Sequence, residues 1–277
     1  MPEMPEVETV RRILQEVIVG KTIRDIDVFY PKMIRNVDEA TFIHMLEGQT
    51  IKRMDRYGKH LQFITEDWVV FSHLRMEGKY FIKPLDEPKE KHEHMIIYFT
   101  DGTSLRYHDT RKFGTFDVIH PAEIKQNSPL VGLGPEPTSS ELTPTYLTKK
   151  LRHKTRAIKP TLLDQTVICG LGNIYVDEVL FRSKIHPETP AGLLTKKQIK
   201  FIIQSCKQVI EKAIELGGTT VRSYTASLGV TGRFQNELNV HTKVDQPCPV
   251  CGTTISKTKV GGRGTYLCTT CQKQRHK

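Results

Sequence analysis

Long hydrophobic runs are missing from this chain of 277 residues. No stretch approaches the roughly 18 consecutive apolar residues that a membrane-spanning helix needs. The first twenty residues carry Glu3, Glu6 and Glu8 and no apolar block, so nothing there reads as a secretory signal. A soluble, cytoplasmic protein is expected. Tryptophan is reduced to Trp68 alone, and acids are outnumbered: 31 Asp and Glu stand against 41 Lys and Arg, for a formal charge of +10. Cysteine is also scarce, with six in all. In an intracellular chain that suggests metal binding or plain core packing before disulfides. Cys169, in the apolar run VICGLG, and Cys206, on the apolar stripe of a helix, fit buried small hydrophobes.

The missing acids are missing locally. Residues 149–159 hold Lys149, Lys150, Arg152, Lys154, Arg156 and Lys159 with no acid among them, and no acid follows Asp245. The acids gather elsewhere, as between Asp86 and Glu93. A basic surface segregated in this way suits a polyanion, nucleic acid before membrane.

Hydrophobic periodicity divides the chain. Val7, Val10, Leu14, Val17 and Ile18 share one helical face, Pro5 suits the first turn and Gly20 ends it. From about 22 to 118 the period drops to two. Leu61–Ile64, Trp68–Leu74 and Lys79–Ile82 read as strands, and Asp101-Gly102 between Met95–Thr100 and Thr103–Tyr107 marks a hairpin. An antiparallel sandwich or barrel follows. Residues 119–142 read as a linker. Helices are expected after Thr143, as a pair over 158–183 joined at 169–172, and over 196–216 behind a Thr195/Gln198 capping box. Residues 218–236, rich in Gly, Thr and Ser, read as a long functional loop.

Cys248, Cys251, Cys268 and Cys271 form a C-x2-C pair, sixteen residues, and a second C-x2-C pair. Each pair can put two thiolates on one tight turn, and two such turns complete a tetrahedral four-sulfur shell. Chance spacing or two redox pairs are the alternatives. Four thiolates leave no open position, so one structural Zn²⁺ is expected. The occupied site would lower the net charge from +10 to about +8.

The first residues, PEMPEVET, offer a different chemistry. Loss of Met1 would leave Pro2 with a secondary amine. An α-amino group titrates near ~8, so a share of it is neutral and nucleophilic at pH 7. Glu3 and Glu6 put carboxylates nearby for acid–base work. Helix-start punctuation explains the same residues.

Ordered blocks along nearly the whole chain carry a resemblance. PEMPEVETVRR at 2–12, YGKH at 57–60, HLRMEG at 73–78, RKFG at 111–114, LGPEP at 133–137, GLGNIYVDE at 170–178, GGTT at 217–220 and GGRGT at 261–265 resemble the formamidopyrimidine-DNA glycosylase family. The resemblance implies a multidomain α+β fold. Residues 1–130 are then an antiparallel β-sandwich with an N-terminal helix, 131–240 a helix-two-turn-helix domain, and 241–277 a four-cysteine zinc-finger hairpin. It implies Pro2 as nucleophile at C1′, Glu3 as acid–base residue, Lys59 in β-elimination and Arg263 in δ-elimination. Glu6 orders Glu3 and the lesion pocket, to which Glu77 also belongs in some members. Met76, Arg111 and Phe113 match intercalating residues, His92 and Lys154 backbone contacts, and Asn173 a phosphate site at a helix start. The loop 218–236 matches a lesion-capping loop. The implied partner is duplex DNA with a damaged base or abasic site, bound by a monomer. Met4, His60 and His241 depart from the usual residues. Rival readings are an endonuclease VIII-type enzyme for oxidised pyrimidines, a non-catalytic zinc-ribbon DNA-binding protein, and a small-molecule enzyme with an N-terminal proline base.

Overall fold

A computed structural model describes residues 2–219 and 232–274. They divide into two compact units. The first comprises residues 1–131 and 219–232, the second residues 132–218 and 233–277.

In the first unit, α1 (Met4–Ile18) buries Val7, Val10, Leu14 and Ile18, the face marked by the apolar spacing. Eight strands follow: β1 (Ile23–Val28), β2 (Arg53–Tyr57), β3 (His60–Ile64), β4 (Val69–His73), β5 (Lys79–Pro84), β6 (Glu93–Phe99), β7 (Thr103–His108) and β8 (Thr115–Ile119). They form two four-stranded antiparallel sheets, ordered β1-β6-β7-β5 and β2-β3-β4-β8. Ile26, Phe99 and Leu105 of the first sheet meet Met54, Phe63 and Phe116 of the second in one core, to which α1 adds its apolar face. That core is the expected sandwich. Period-two patterning missed α2 (Glu39–Leu46) inside the strand region. Asp38 caps it by accepting from the Thr41 amide, and Phe42 and Leu46 anchor it in the core.

The second half of the chain departs from the sequence expectation in two places. The stretch 119–142 is not a bare linker. It contains α3 (Ile124–Asn127), and its LGPEP segment is seated against residues 166–169. A Cβ on Gly134 would lie 2.5 Å from the Val167 carbonyl, and Pro135 O accepts from the Cys169 amide at 3.1 Å. After α4 (Pro144–Leu151), α5 (Ile158–Leu162) and α6 (Asn173–Arg182) are joined by ten irregular residues rather than four. The Gln165 side chain stitches that connection, binding Leu163 O, Leu171 O and Gly170 N. Helix α7 (Lys196–Glu215) has the expected Thr195/Gln198 capping box. The terminal hairpin pairs β9 (Ser256–Val260) with β10 (Arg263–Leu267). Gly261 and Gly262, at φ +57° and +81°, make its two-residue turn, which needs positive φ at both positions.

Candidate functional site

The N-terminal segment of the first unit is held by two carboxylates. Glu6 is 5% exposed. Its Oε2 accepts from the Glu3 amide at 2.9 Å, and its Oε1 accepts from the Thr219 amide and hydroxyl at 2.8 and 2.9 Å. Glu6 thus fixes the backbone one residue after Pro2 and the described edge of the 218–236 segment. Residues 220–231 of that segment lie outside the described residues. Pro2 and Glu3 are both buried. Two residues after Glu6, Glu8 accepts from Arg11, Arg12 and Arg56. Burial pushes its carboxyl up, but the bonds from Arg11 and Arg12 and the Arg56 charge outweigh that and leave it below the usual range.

The same arginines lock α1 to the strand that delivers Lys59. Arg11 donates to Met54 O at 3.2 Å, Gln15 accepts from the Met54 amide at 2.9 Å, and Arg56 donates to Gly58 O at 3.1 Å. Gly58-Lys59 is the two-residue turn between β2 and β3, with Gly58 at φ +58°. Glycine in the first central position is what a type II′ hairpin requires. Lys59 is 6% exposed. Next to it, His60 and His73 stack edge to face at 4.6 Å. Burial, then the Arg75 and Lys59 charges, pushes His60 down to about 4. His73 moves in the same direction through burial, then His60, and its Nδ1 accepts from the Arg75 amide, a bond that needs that nitrogen unprotonated.

Two loops of this unit carry the expected intercalating side chains. Met76 follows Arg75, and Phe113 follows Lys112, both at positive φ, +52° and +57°. Such a conformation costs roughly 1 kcal/mol or more per non-glycine residue and persists only when its surroundings enforce it. In the second loop Asp109 does the enforcing. It is fully buried, Oδ1 accepts from the Arg111 amide at 3.0 Å, and Oδ2 accepts from the Phe113 and Gly114 amides at 2.9 and 2.8 Å. Phe113 is left 50% exposed, with the Arg111 guanidinium 4.6 Å from its ring centre. Glu77 accepts from the Thr110 hydroxyl and so ties the two loops together. The His92 carbonyl accepts from the Asp109 amide, and its ring lies 5.5 Å from that of His108. Sequence reasoning missed Asp109, although an aspartate two residues before the first loop amide is an Asx-turn signal.

In the second unit a buried polar cluster holds the turn that presents Arg263. Lys159 belongs to the basic run, yet it is fully buried rather than part of a basic surface. Its Nζ donates to Asp177 Oδ1, Gly264 O and Thr265 Oγ1 at 2.7 to 2.8 Å. Asp177 also accepts from His241 Nδ1 at 2.9 Å, so this departure from the usual residue has a definite place. Asn173, first residue of α6, donates to Gly264 O at 3.0 Å. A Cβ on Gly261 would lie 2.9 Å from Pro160, so α5 seats the turn itself. Arg263 is exposed, as are Lys149, Lys150, Arg152 and Arg156, while Lys154 is half-buried.

The four cysteine sulfurs of this unit lie within 4.8 Å of one another, with Cys248–Cys271 at 3.9 Å and Cys251–Cys268 at 3.4 Å. A tetrahedral ion with metal–sulfur bonds of ~2.3 Å sets its sulfurs ~3.8 Å apart, so the shell fits zinc. Amides of Val250 and Cys271 point at Cys248 and Cys268 sulfur, each at 3.5 Å, as suits thiolates. All four protein ligands being present, the metal is structural.

Known proteins resemble the chain along nearly its whole length. Residues 1–116 match the formamidopyrimidine-DNA glycosylase N-terminal domain, 133–225 its H2TH domain, and 245–274 a zinc finger found in FPG and IleRS. The chain is 52% identical to the formamidopyrimidine-DNA glycosylase of Bacillus licheniformis, over 99% of this chain and 100% of that one. It is 50% identical to that of Bacillus subtilis, over 98% and 99%. Among solved structures, a complex of Lactococcus lactis Fpg with abasic-site DNA superimposes with a TM-score of 0.93 at 44% identity, covering 99% of this chain and 100% of that one. A complex of the same protein with N7-benzyl-Fapy-dG DNA gives the same values.

Three outcomes are expected. Asp109→Asn turns an acceptor toward the amides of 111–114 into a donor, and affinity for lesion-containing duplex should fall roughly tenfold in a titration, since an unmet buried donor costs about 1–3 kcal/mol. Unchanged affinity would remove Asp109 from its ordering role. His60 has a folded value of about 4 against 6.5 unfolded. The unfolded chain therefore binds more protons between those values, and the stability contributed by neutral His60, complete above 6.5, is lost as pH falls toward 4. In His60→Phe the urea midpoint should lose about one proton's worth of this pH slope; an identical slope would refute the assignment. Cys268→Ser should abolish both stoichiometric zinc, read by metal analysis, and DNA binding, and retention of either would contradict a structural role.

Proposed function

The chain belongs to the formamidopyrimidine-DNA glycosylase family, and from that premise we propose how this base-excision repair glycosylase works. It removes oxidised purines, 8-oxoguanine and formamidopyrimidines, from duplex DNA and cleaves the strand at the abasic sugar. The observation that carries the reading is Glu6. One buried carboxylate holds the backbone beside Pro2 and the edge of the GGTT segment at once, an arrangement that helix punctuation alone does not call for.

With Met1 removed, the neutral amine of Pro2 attacks C1′. The glycosidic bond breaks, its electron pair leaves with the base, and the base takes up the proton that the Pro2 nitrogen gives up. Glu3 delivers a proton to the ring oxygen as the sugar opens, leaving an iminium between Pro2 and C1′. Lys59 assists loss of the C2′ proton, and the 3′-phosphate departs in β-elimination. Arg263 assists the δ-elimination that expels the 5′-phosphate. The nucleotide must leave the stack for C1′ to be reached. Met76 and Phe113 fill the gap, and Arg111 hydrogen-bonds the orphaned base. Glu77, besides tying the two loops, lies toward the lesion. His92, Lys154 and the amides that open α6 at Asn173 take phosphates. The loop 218–236 closes over the extruded base. One Zn²⁺ on the four cysteines maintains the hairpin that carries Arg263. The protein acts as a monomer, inside the cell, on DNA. Among the described residues no helix is long and apolar enough to cross a membrane.

Borohydride reduction with an 8-oxoguanine duplex should trap a covalent protein–DNA adduct. A version that keeps Met1 or carries an N-terminal tag should give none, and full trapping there would show that Pro2 is not the nucleophile. Tight lesion binding without any adduct from the processed protein would instead indicate a non-catalytic DNA-binding protein. Preferred excision of thymine glycol over 8-oxoguanine opposite cytosine would indicate the endonuclease VIII type.

A further inference from the structure

Helix α6 and the zinc hairpin each have two ends. At one end stand Asn173 and Arg263. The opposite end of α6, about 15 Å along its ten residues, carries Phe181 and Arg182. The hairpin's five-residue arms place the cysteine turns about 17 Å from the glycine turn beside Arg263. Between these far ends and α7 lies a groove of about 510 Å³, within the size range of sites that take a side chain and its flanking backbone.

Part of its lining is apolar. Phe181, Val209 and Phe234 are nearly buried, and Val250, projecting between the first two cysteines, is 64% exposed. The rim is cationic, formed by the exposed Arg182, Lys184 and Lys212. Glu178 lines the groove but its carboxylate is taken up by the Asn239, Val240 and His241 amides at 2.9 to 3.1 Å. Arg182 donates to Gln208, and Lys212 pairs with the exposed Glu215, a contact worth little in water. Glu237 is the remaining acid on the lining. A phosphate backbone would use the cations and leave the Phe–Val lining unused. An acidic peptide with an apolar anchor uses both.

We propose that this groove is a docking site for an acidic peptide segment of a partner protein, anchored by a large apolar side chain. Carboxylates face Arg182, Lys184 and Lys212, and the anchor covers Val250 and enters between Phe181, Val209 and Phe234. Because the groove sits at the opposite ends of the elements that present Asn173 and Arg263, a bound partner leaves those ends uncovered. The inference does not rest on the proposed chemistry at Pro2.

The probe is a fluorescein-labelled peptide, Asp-Glu-Asp-Leu-Phe-Asp, titrated with the zinc-loaded full-length protein and read by polarisation. Saturable binding is expected. It should weaken at least roughly tenfold in Arg182→Glu/Lys212→Glu, and by a similar factor when the Leu-Phe pair of the peptide becomes Ser-Ser. Zinc content and lesion-duplex affinity of the double variant should match the parent, which separates lost docking from lost folding. Absence of saturable binding would overturn the proposal, as would equal affinity for the Ser-Ser peptide, which would mean unspecific charge attraction. Displacement of the peptide by undamaged duplex from the parent protein, with duplex affinity reduced in the double variant, would reassign the groove to nucleic acid.

Discussion

A carboxylate taken out of water must be given donors, and in this protein backbone amides provide many of them. Glu6 receives the Glu3 and Thr219 amides, Asp109 those of Arg111, Phe113 and Gly114, and Glu178 those of Asn239, Val240 and His241. Each bond to a charged acceptor is worth about 1.5–3 kcal/mol, and the geometry is stricter than for a flexible charged pair. The segments so held are the start of α1, the RKFG loop and the approach to the zinc hairpin. Positive-φ residues such as Lys112 stay in place because several amides of one loop converge on a single acceptor.

Charge plays a second, different part. The excess of Lys and Arg covers the surface, where Lys149, Lys150, Arg152, Arg156 and Arg263 remain exposed and uncommitted to the core. Lys159 shows the opposite use. Buried among Asp177, Gly264 O and Thr265, it acts as a three-donor clamp on the strand that follows Arg263. A buried charge of this kind persists only with its donors fully matched, and here they are. The zinc site and this clamp hold opposite ends of one short hairpin, whose small core draws on Phe181, Val240, Ile255, Tyr266 and the cysteines.

Much was legible beforehand. The α1 face, the capping box of α7, the Asp-Gly hairpin and the cysteine pairs follow from local rules of spacing and turn chemistry, and the structure has each of them. Helix α2 escaped notice because its eight residues include a single turn's worth of buried side chains, Phe42 and Leu46, too few to announce a helical period. The LGPEP stretch looked like a linker because proline and glycine mark loops. Whether such a loop is seated is decided by a neighbour distant in sequence, here Val167 and Cys169.

The sequence by itself determined the chemical inventory: a proline directly after Met1, four cysteines at zinc spacing, a cation excess, and the strand and helix periods that build a sandwich and a helical unit. Only the tertiary structure decided which charged residues meet solvent and which meet backbone. Lys154 and Lys159 look alike in the basic run, yet one is half-buried and the other is sealed beneath Gly264. Glu6 and Glu77 look like ordinary acids until Thr219 and Thr110 arrive beside them. Local periodicity carries information over a few residues, whereas the partner of a buried charge can come from a distant segment, as Thr219 does for Glu6 and Gly264 for Lys159.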